Sequence, residues 1–289
     1  VLVNGIKGIA VGFSTEIQPH KAKDVAKLCV KYLSGKDITN GTKANDLLPH
    51  YPNFTGTIAR DDAGVIWCKG SFSKVNTTKI NITEVPIGYT RESYVSFLDS
   101  LEDAGKITYY VDKCDKSGFN FTVTMPRAWL GRATDAQIVS LFRLQKKLNQ
   151  NLTVINDDDQ LCVYENVHAM IVDFCDYRIT KYVDRYAKYV SDGNAQMRIY
   201  KEKIRFITMI LEDELNFKNK TKKQIIAELT KEKFAEDIIP MLINMPIYSL
   251  CADEKKKLIE KGIALFKQID EWEKVDETEQ FVKELKGVK

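Results

Sequence analysis

Tyr182, Tyr186, Tyr189, Gly193, Met197, Tyr200, Ile204, Ile207 and Leu211 recur in steps of three and four within a stretch from Asn166 to Phe217 that holds no proline. That spacing places one apolar or small residue on the same side of every helical turn. A single helix of roughly 50 residues follows, about 75 Å long at 1.5 Å per residue. A helix of that length outreaches a compact domain and needs a partner along it. Leu258, Gly262, Leu265, Ile269 and Trp272 supply a heptad-like stripe for an antiparallel return helix. Between the two, residues 220–250 carry Pro240, Pro246 and short apolar clusters, which predicts a small helical globule at the tip of a two-helix arm.

Upstream the period changes from helical to mixed. Alternation over 55–58, 65–72 and 79–85 predicts antiparallel strands, separated by turns at Asp61-Asp62-Ala63-Gly64 and Asn76-Thr77. Helices are expected over 21–33, over 91–103 with Thr90 as N-cap and Gly105 as stop, and over 135–148 behind Thr134. Further strands are expected over 107–112 and 119–124, and a hairpin of 152–155 with 160–164 turns on Asp157 and Asp158. The class is therefore α+β. An α/β shoulder spans 1–165, and the two-helix arm with its globule spans 166–289.

The 289 residues are 44% hydrophobic, enough for two packed units, and the formal net charge is only +3 within a charged fraction of 29%. Any contact with nucleic acid is then a local patch. Six cysteines lie scattered without C-x-x-C spacing, which fits reduced thiols in a cytoplasm better than a disulfide framework. No run approaches the ~20 apolar residues of a membrane helix. His20, His50 and His168 are not at metal-ligand spacing, and Asp157-Asp158-Asp159 has the character of a solvated turn. Gly35-Lys36 lacks the upstream glycine of a Walker motif.

The opening stretch, Val3-Asn4-Gly5-Ile6-Lys7-Gly8-Ile9-Ala10-Val11-Gly12-Phe13-Ser14-Thr15-Glu16-Ile17-Gln18-Pro19-His20, is dense in glycine. Taken alone it is a tight turn. As a nucleic-acid surface it offers Lys7, His20, Lys21 and Lys23 for phosphates, and Ile17 beside Pro19 as an apolar wedge of the kind that unstacks a base step. Only Trp67, Lys69, Phe72 and Lys74 hint at a stacking platform for single strands.

Several segments resemble type IIA DNA topoisomerases. Leu2 through Pro19 is similar to the motif that follows the active-site winged-helix region of that family. Leu48-Pro49-His50-Tyr51-Pro52-Asn53-Phe54-Thr55-Gly56-Thr57-Ile58 resembles its Gly-Thr-Ile element, and Thr83-Glu84-Val85-Pro86 its Thr-Glu-Leu-Pro. Phe206-Ile207-Thr208-Met209-Ile210 with Glu214-Leu215 is similar to the end of its outgoing coiled-coil helix, and Ile247-Tyr248-Ser249-Leu250 to the start of the return helix. The matches fall in family order and look closer to eukaryotic and T-even bacteriophage members, including a split phage form, than to bacterial gyrase.

The resemblance implies a piece of a longer breakage-reunion subunit. The whole enzyme would pass duplex DNA through a transient double-strand break with ATP. In this piece Ile17, backed by Gln18 and Pro19, would kink the gate DNA, with Asn4, Lys7, His20 and Lys21 along the bent duplex. Ile239, Met241, Leu242, Ile243, Met245 and Ile247 would form the homodimeric exit gate. The cleaving tyrosine would lie upstream of residue 1, since Arg185-Tyr186 sits on the long helix, and this piece alone would be inactive. Mg²⁺ and ATP would belong to a large partner subunit, in a host cytoplasm if the source is a phage. A coiled-coil scaffold with a protein-binding α/β head is the rival reading, and it requires a buried Ile17.

Overall fold

The computed structural model describes residues 1–39, 47–156 and 159–288, and divides into two compact units, Val1–Asp173 with Leu285–Lys289 and Phe174–Glu284. The expected turn at Asp157 and Asp158 lies outside the described residues.

In the first unit the chain opens with a hairpin, β1 (Ile6–Ala10) and β2 (Phe13–Ile17), followed by α1 (Ala22–Leu33). β3 (Thr57–Arg60), β4 (Ile66–Lys69) and β9 (Gln145–Leu148) make a three-stranded antiparallel sheet. β5 (Ser71–Lys74), β6 (Lys79–Glu84), β7 (Tyr109–Asp112) and β8 (Phe121–Thr124) make a four-stranded sheet in the order β5-β6-β8-β7. The strand expected over 65–72 is thus two strands in different sheets. The switch falls at Gly70, whose N–H is held by the Leu144 carbonyl at 2.8 Å. A Cβ there would come within 2.3 Å of the Glu84 carbonyl oxygen, so no side chain fits the crossing.

One face of the larger sheet is apolar. Ile80 and Ile82 on β6 and Phe121 and Val123 on β8 alternate inward, as a period of two requires, and are fully buried. Helix α2 (Arg91–Asp103) covers them with Tyr94, Leu98 and Leu101. Thr90 caps α2 in a reciprocal box with Ser93, and Gly105 follows its end at φ +66°. A short α3 (Arg127–Leu130) and α4 (Asp135–Leu141) close this core with Leu130, Ile138 and Phe142. Tyr94 seals it by donating its hydroxyl to the Phe142 carbonyl at 2.9 Å, and burial pushes that phenol well above the ordinary tyrosine range.

The helix expected over 135–148 stops at Leu141. Arg143 takes φ +50°, the backbone reverses, and Gln145–Leu148 leave as strand β9 to pair with β4. Helix propensity favoured Gln-Lys-Lys-Leu, but the open edge of β4 supplies partners that a longer helix would leave unmet. A second hairpin, β10 (Thr153–Ile155) and β11 (Leu161–Val163), follows.

Helix α5 (Val167–Leu211) starts in the first unit and continues in the second. It ends six residues earlier than the proline-free stretch, where Asp213 turns at φ +58°. In the second unit α8 (Ala252–Glu273) packs against it in the opposite direction. Tyr189 meets Trp272 with ring centroids 5.4 Å apart, and the Gly193 backbone lies against Ile269. Gly262, farther from the end of α8, faces Met197. Leu258, Gly262, Leu265, Ile269 and Trp272 lie on the covered side of α8, while Tyr189 and Leu211 of the α5 stripe remain partly open. A final helix α9 (Glu277–Lys286), beyond the expected elements, sets Phe281 on Tyr182 at 5.1 Å.

Between α5 and α8, α6 (Lys222–Lys231) and α7 (Ile239–Ile243) gather Leu229, Phe234, Ile238, Ile239 and Leu242 around Phe206 and Leu215. Thr221 caps α6 in a box with Gln224, and Pro240 stands at the start of α7, where a missing N–H is harmless.

Candidate nucleic-acid interface

The glycine-rich opening is not merely a turn. Five residue pairs from Ile6↔Ile17 to Ala10↔Phe13 build the hairpin, and a two-residue loop, Val11-Gly12, closes it with Gly12 at φ +82°. Directly opposed residues share a face. Lys7 with Glu16 and Ile9 with Ser14 therefore lie on one side, and Ile6 with Ile17, Gly8 with Thr15 and Ala10 with Phe13 on the other.

The base of the hairpin is fastened to the body. Gly5 at φ +67° brings its Cα so near the Ile17 carbonyl that a Cβ would sit 2.8 Å from that oxygen. Glu16 and Asn151 exchange backbone hydrogen bonds, and Asn151 also donates through its side-chain amide to the Ser14 carbonyl at 2.8 Å. Gln18 is buried. Its amide nitrogen donates to the Asn149 carbonyl at 2.7 Å, and its amide oxygen accepts the Tyr51 hydroxyl. The Pro19 carbonyl accepts from the His50 N–H at 2.7 Å. The two segments that carry the family resemblance on either side, 2–19 and 48–58, are thus joined through Gln18 and Pro19. Thr55 in turn donates its N–H and hydroxyl to the buried Glu84, which ties the third segment in.

His20 is buried and donates Nδ1–H to the Leu2 carbonyl at 3.2 Å, while Nε2 has no partner among the described residues. Burial lowers its pKa below the ordinary 6.5, against the opposing pull of the Leu2 and Gln18 carbonyls. Asn4, Lys7, Lys21 and Lys23 are exposed around an open cleft of about 950 Å³ that Gln18, Pro19 and His20 also line. Lys7 pairs with Glu16 at 3.1 Å, an exposed contact that a phosphate can displace.

Ile17 requires a correction. It is 2% exposed, so it is core and presents no wedge. The reason is its position: it is the last residue of β2, paired with Ile6 at the end where Gln18 enters the body. The most exposed apolar residues of the hairpin are at the opposite end, Ile9 at 87% and Val11 at 101%, with Phe13 at 55%, whereas Ile6 at the base is 49% exposed. Strand alternation across Gly12 was the signal for them, and it was obscured by glycines three and four residues apart at 5, 8 and 12. Gln18 and His20, also named as DNA contacts, act here through the hairpin's anchorage rather than at its surface.

The residues expected at an exit gate divide similarly. Ile239 and Leu242 are buried within the α6–α7 cluster, Ile243 and Met245 are half-buried against it, and Met241 and Ile247 are exposed together with Tyr248. Tyr186 lies within α5, edge-on to Tyr189, and Arg185 pairs with Glu284 at 3.4 Å. Among the described residues no group of His, Cys, Asp or Glu is placed to hold a metal ion, and no helix is long and apolar enough to cross a membrane.

The hairpin is thus pinned at its base, with bare aliphatic side chains at its free end and lysines beside it, and comparison with known proteins defines the class of the chain as a topoisomerase subunit. The DNA gyrase/topoisomerase IV A-subunit family matches residues 1–286, and the chain belongs to it. The DNA topoisomerase medium subunit of Enterobacteria phage T4 is 32% identical over the full chain, which spans 65% of that subunit. DNA topoisomerase 2 of Plasmodium falciparum is 27% identical over 81% of the chain and 17% of its own length. The crystal structure of the Plasmodium falciparum topoisomerase II DNA-binding, cleavage and re-ligation domain shares the fold, with a TM-score of 0.87 and 24% identity over 99% of this chain and 42% of that one. The chain therefore spans less than two thirds of these relatives.

Proposed function

We infer that this chain is the DNA-bending and exit-gate portion of a type II topoisomerase that passes one duplex through a transient break in another with ATP. The observation that carries the reading is the anchored hairpin with Ile9 and Val11 at its free end. Ile9 takes the wedge role expected of Ile17. It shares a face with Lys7, so an aliphatic group entering a base step would be accompanied by a cation for the adjoining phosphate. Bending a duplex sharply costs several kcal/mol, which Asn4, Lys7, Lys21 and Lys23 would offset through phosphate contacts.

Within the same reading, α5 and α8 form a two-helix coiled coil, residues 166–289 form its domain with the α6–α7 cluster as its globule, and residues 1–165 form the shoulder. Met241 and Ile247 are the groups left for a second copy to cover, while Ile239 and Leu242 shape the cluster from inside. The partners are duplex DNA, a second copy, and a large subunit carrying the ATPase and the Mg²⁺ site. Neither group is assigned to residues of this chain. The cleaving tyrosine is expected outside it, so the chain alone does not cleave DNA.

The burial of Ile17 is what the rival scaffold reading required, and one experiment separates the two. Ile17→Ala and Ile9→Ala are compared in duplex affinity and thermal melting. Ile17→Ala is expected to cost about 2–5 kcal/mol of stability, as for other buried Ile→Ala changes. Ile9→Ala is expected to weaken duplex binding several-fold with an unchanged melt. An Ile9→Ala chain that binds duplex like the parent favours the scaffold.

A further inference from the structure

The three-stranded sheet β3-β4-β9 turns one face inward, with Ile66, Cys68 and Leu148 buried, and the other outward. Two cross-strand rows make up the outer face. Ala59, Trp67 and Lys147 stand opposite one another, and Thr57, Lys69 and Gln145 form the next row. The Phe72 and Lys74 that sequence had grouped with Trp67 belong to the other sheet. Lys147, invisible as a strand residue beforehand, takes their place.

Trp67 divides two clefts. One, of about 670 Å³, runs between β9 and α4 past Tyr89, Ser140 and Arg143, and the other, of about 230 Å³, lies over Thr57 and Ala59. Trp67, Lys69 and Gln145 line both. The indole is held in place by its N–H, which donates to Asp61 at 2.8 Å, and Trp67 is half-buried between the two clefts, with the small Ala59 as its cross-strand neighbour.

Lys69, Arg143, Lys146 and Lys147 form no ion pair among the described residues. Two are positioned instead by aromatic faces: Arg143 lies 4.7 Å from the Phe97 centroid and Lys146 lies 5.9 Å from that of Tyr89. Arg143 also holds a left-handed φ that glycine or asparagine would take more easily.

We propose that the outer face of this sheet is a binding site for unpaired single-stranded DNA, separate from the duplex contact at the hairpin. Bases occupy the clefts on either side of the Trp67 indole, and Lys69, Lys147 and Arg143 receive the phosphates between them. A duplex keeps its bases paired inside and offers nothing to a fixed indole wall, whereas every unpaired base has a face to stack. The site does not depend on the hairpin reading, and Ile9→Ala leaves it intact.

The test titrates the chain with a twelve-thymidine oligonucleotide, a twelve-base-pair duplex and ATP, following tryptophan emission and the anisotropy of labelled DNA. The oligonucleotide is expected to quench emission saturably in the parent and not in Trp67→Phe. Trp67→Ala should weaken its binding about tenfold and leave duplex binding unchanged. Lys69→Glu with Lys147→Glu should reduce the salt slope of log K by about 1.4, at about 0.7 per phosphate contact on a single strand. Circular dichroism of each variant reports folding. Unchanged oligonucleotide affinity in a folded Trp67→Ala chain overturns the proposal, as does equal loss of duplex binding. Competition by ATP at equal concentration overturns it too, because the ligand is then a free nucleotide.

Discussion

Ile17 and Ile9 lie on one hairpin and differ in which end each occupies. The sequence showed an isoleucine beside a proline, and that neighbour drew attention to Ile17. Only the strand register, Ile6 against Ile17, puts it at the anchored end. Gln18 and His20 were likewise conspicuous because buried polar groups that hold a loop are chemically the same residues that line a site. His20 yields a pH prediction. Its folded-state pKa is lowered, so the unfolded chain binds the extra proton first. The contribution of a neutral His20 is fully present above the unfolded value of 6.5 and is lost as pH falls through the lower folded value. Denaturant midpoints should therefore decline from pH 7 toward pH 5 more steeply in the parent than in a folded His20→Gln chain. Parallel curves for the two would remove His20 as the cause.

Elements with strong periodicity or capping signals were legible. Helix α2 was expected over 91–103 and is found there, with Thr90 and Gly105 in the expected capping and stopping positions. The α8 stripe from Leu258 to Trp272 faces inward as its spacing required. What was not legible depended on partners distant in sequence. Residues 145–148 look helical until β4 is seen to have a free edge, and the split at Gly70 is dictated by the Glu84 backbone pressed against it. Gly193 was legible as a small residue on the α5 stripe, and what the structure adds is how closely α8 approaches it. Its Cβ would lie 2.8 Å from Ile269 and 3.3 Å from the Trp272 ring. Gly193→Val is expected to lower stability by about 1–3 kcal/mol despite the better helix propensity of valine. Ile269→Ala in the same chain should recover part of it, and melting curves of the two variants and the double variant check this. A Gly193→Val chain that melts with the parent would show that α5 and α8 have slack at this point.

At the scale of the molecule, the class α+β and the family were readable because separate short motifs fell in a consistent order, and several of those motifs meet in the structure. Gln18, Tyr51, Thr55 and Glu84 join three of the motifs in one hydrogen-bonded shoulder, while Phe206 and Leu215 anchor the α6–α7 cluster. Exposed Met241, Ile247 and Tyr248 beside that cluster lead to an expected concentration-dependent dimer in sedimentation velocity. Ile247→Asp should shift it toward monomer, and a strict monomer of the parent at every concentration would count against the exit-gate assignment.

Bending of duplex DNA by the hairpin is read by the end-to-end distance of a doubly labelled duplex of about 30 base pairs, followed by fluorescence energy transfer as the chain is added. The ends are expected to approach on binding, and Ile9→Ala to leave the duplex bound at saturating protein but straighter. A saturated complex whose ends stay as far apart as in free DNA would contradict that bending.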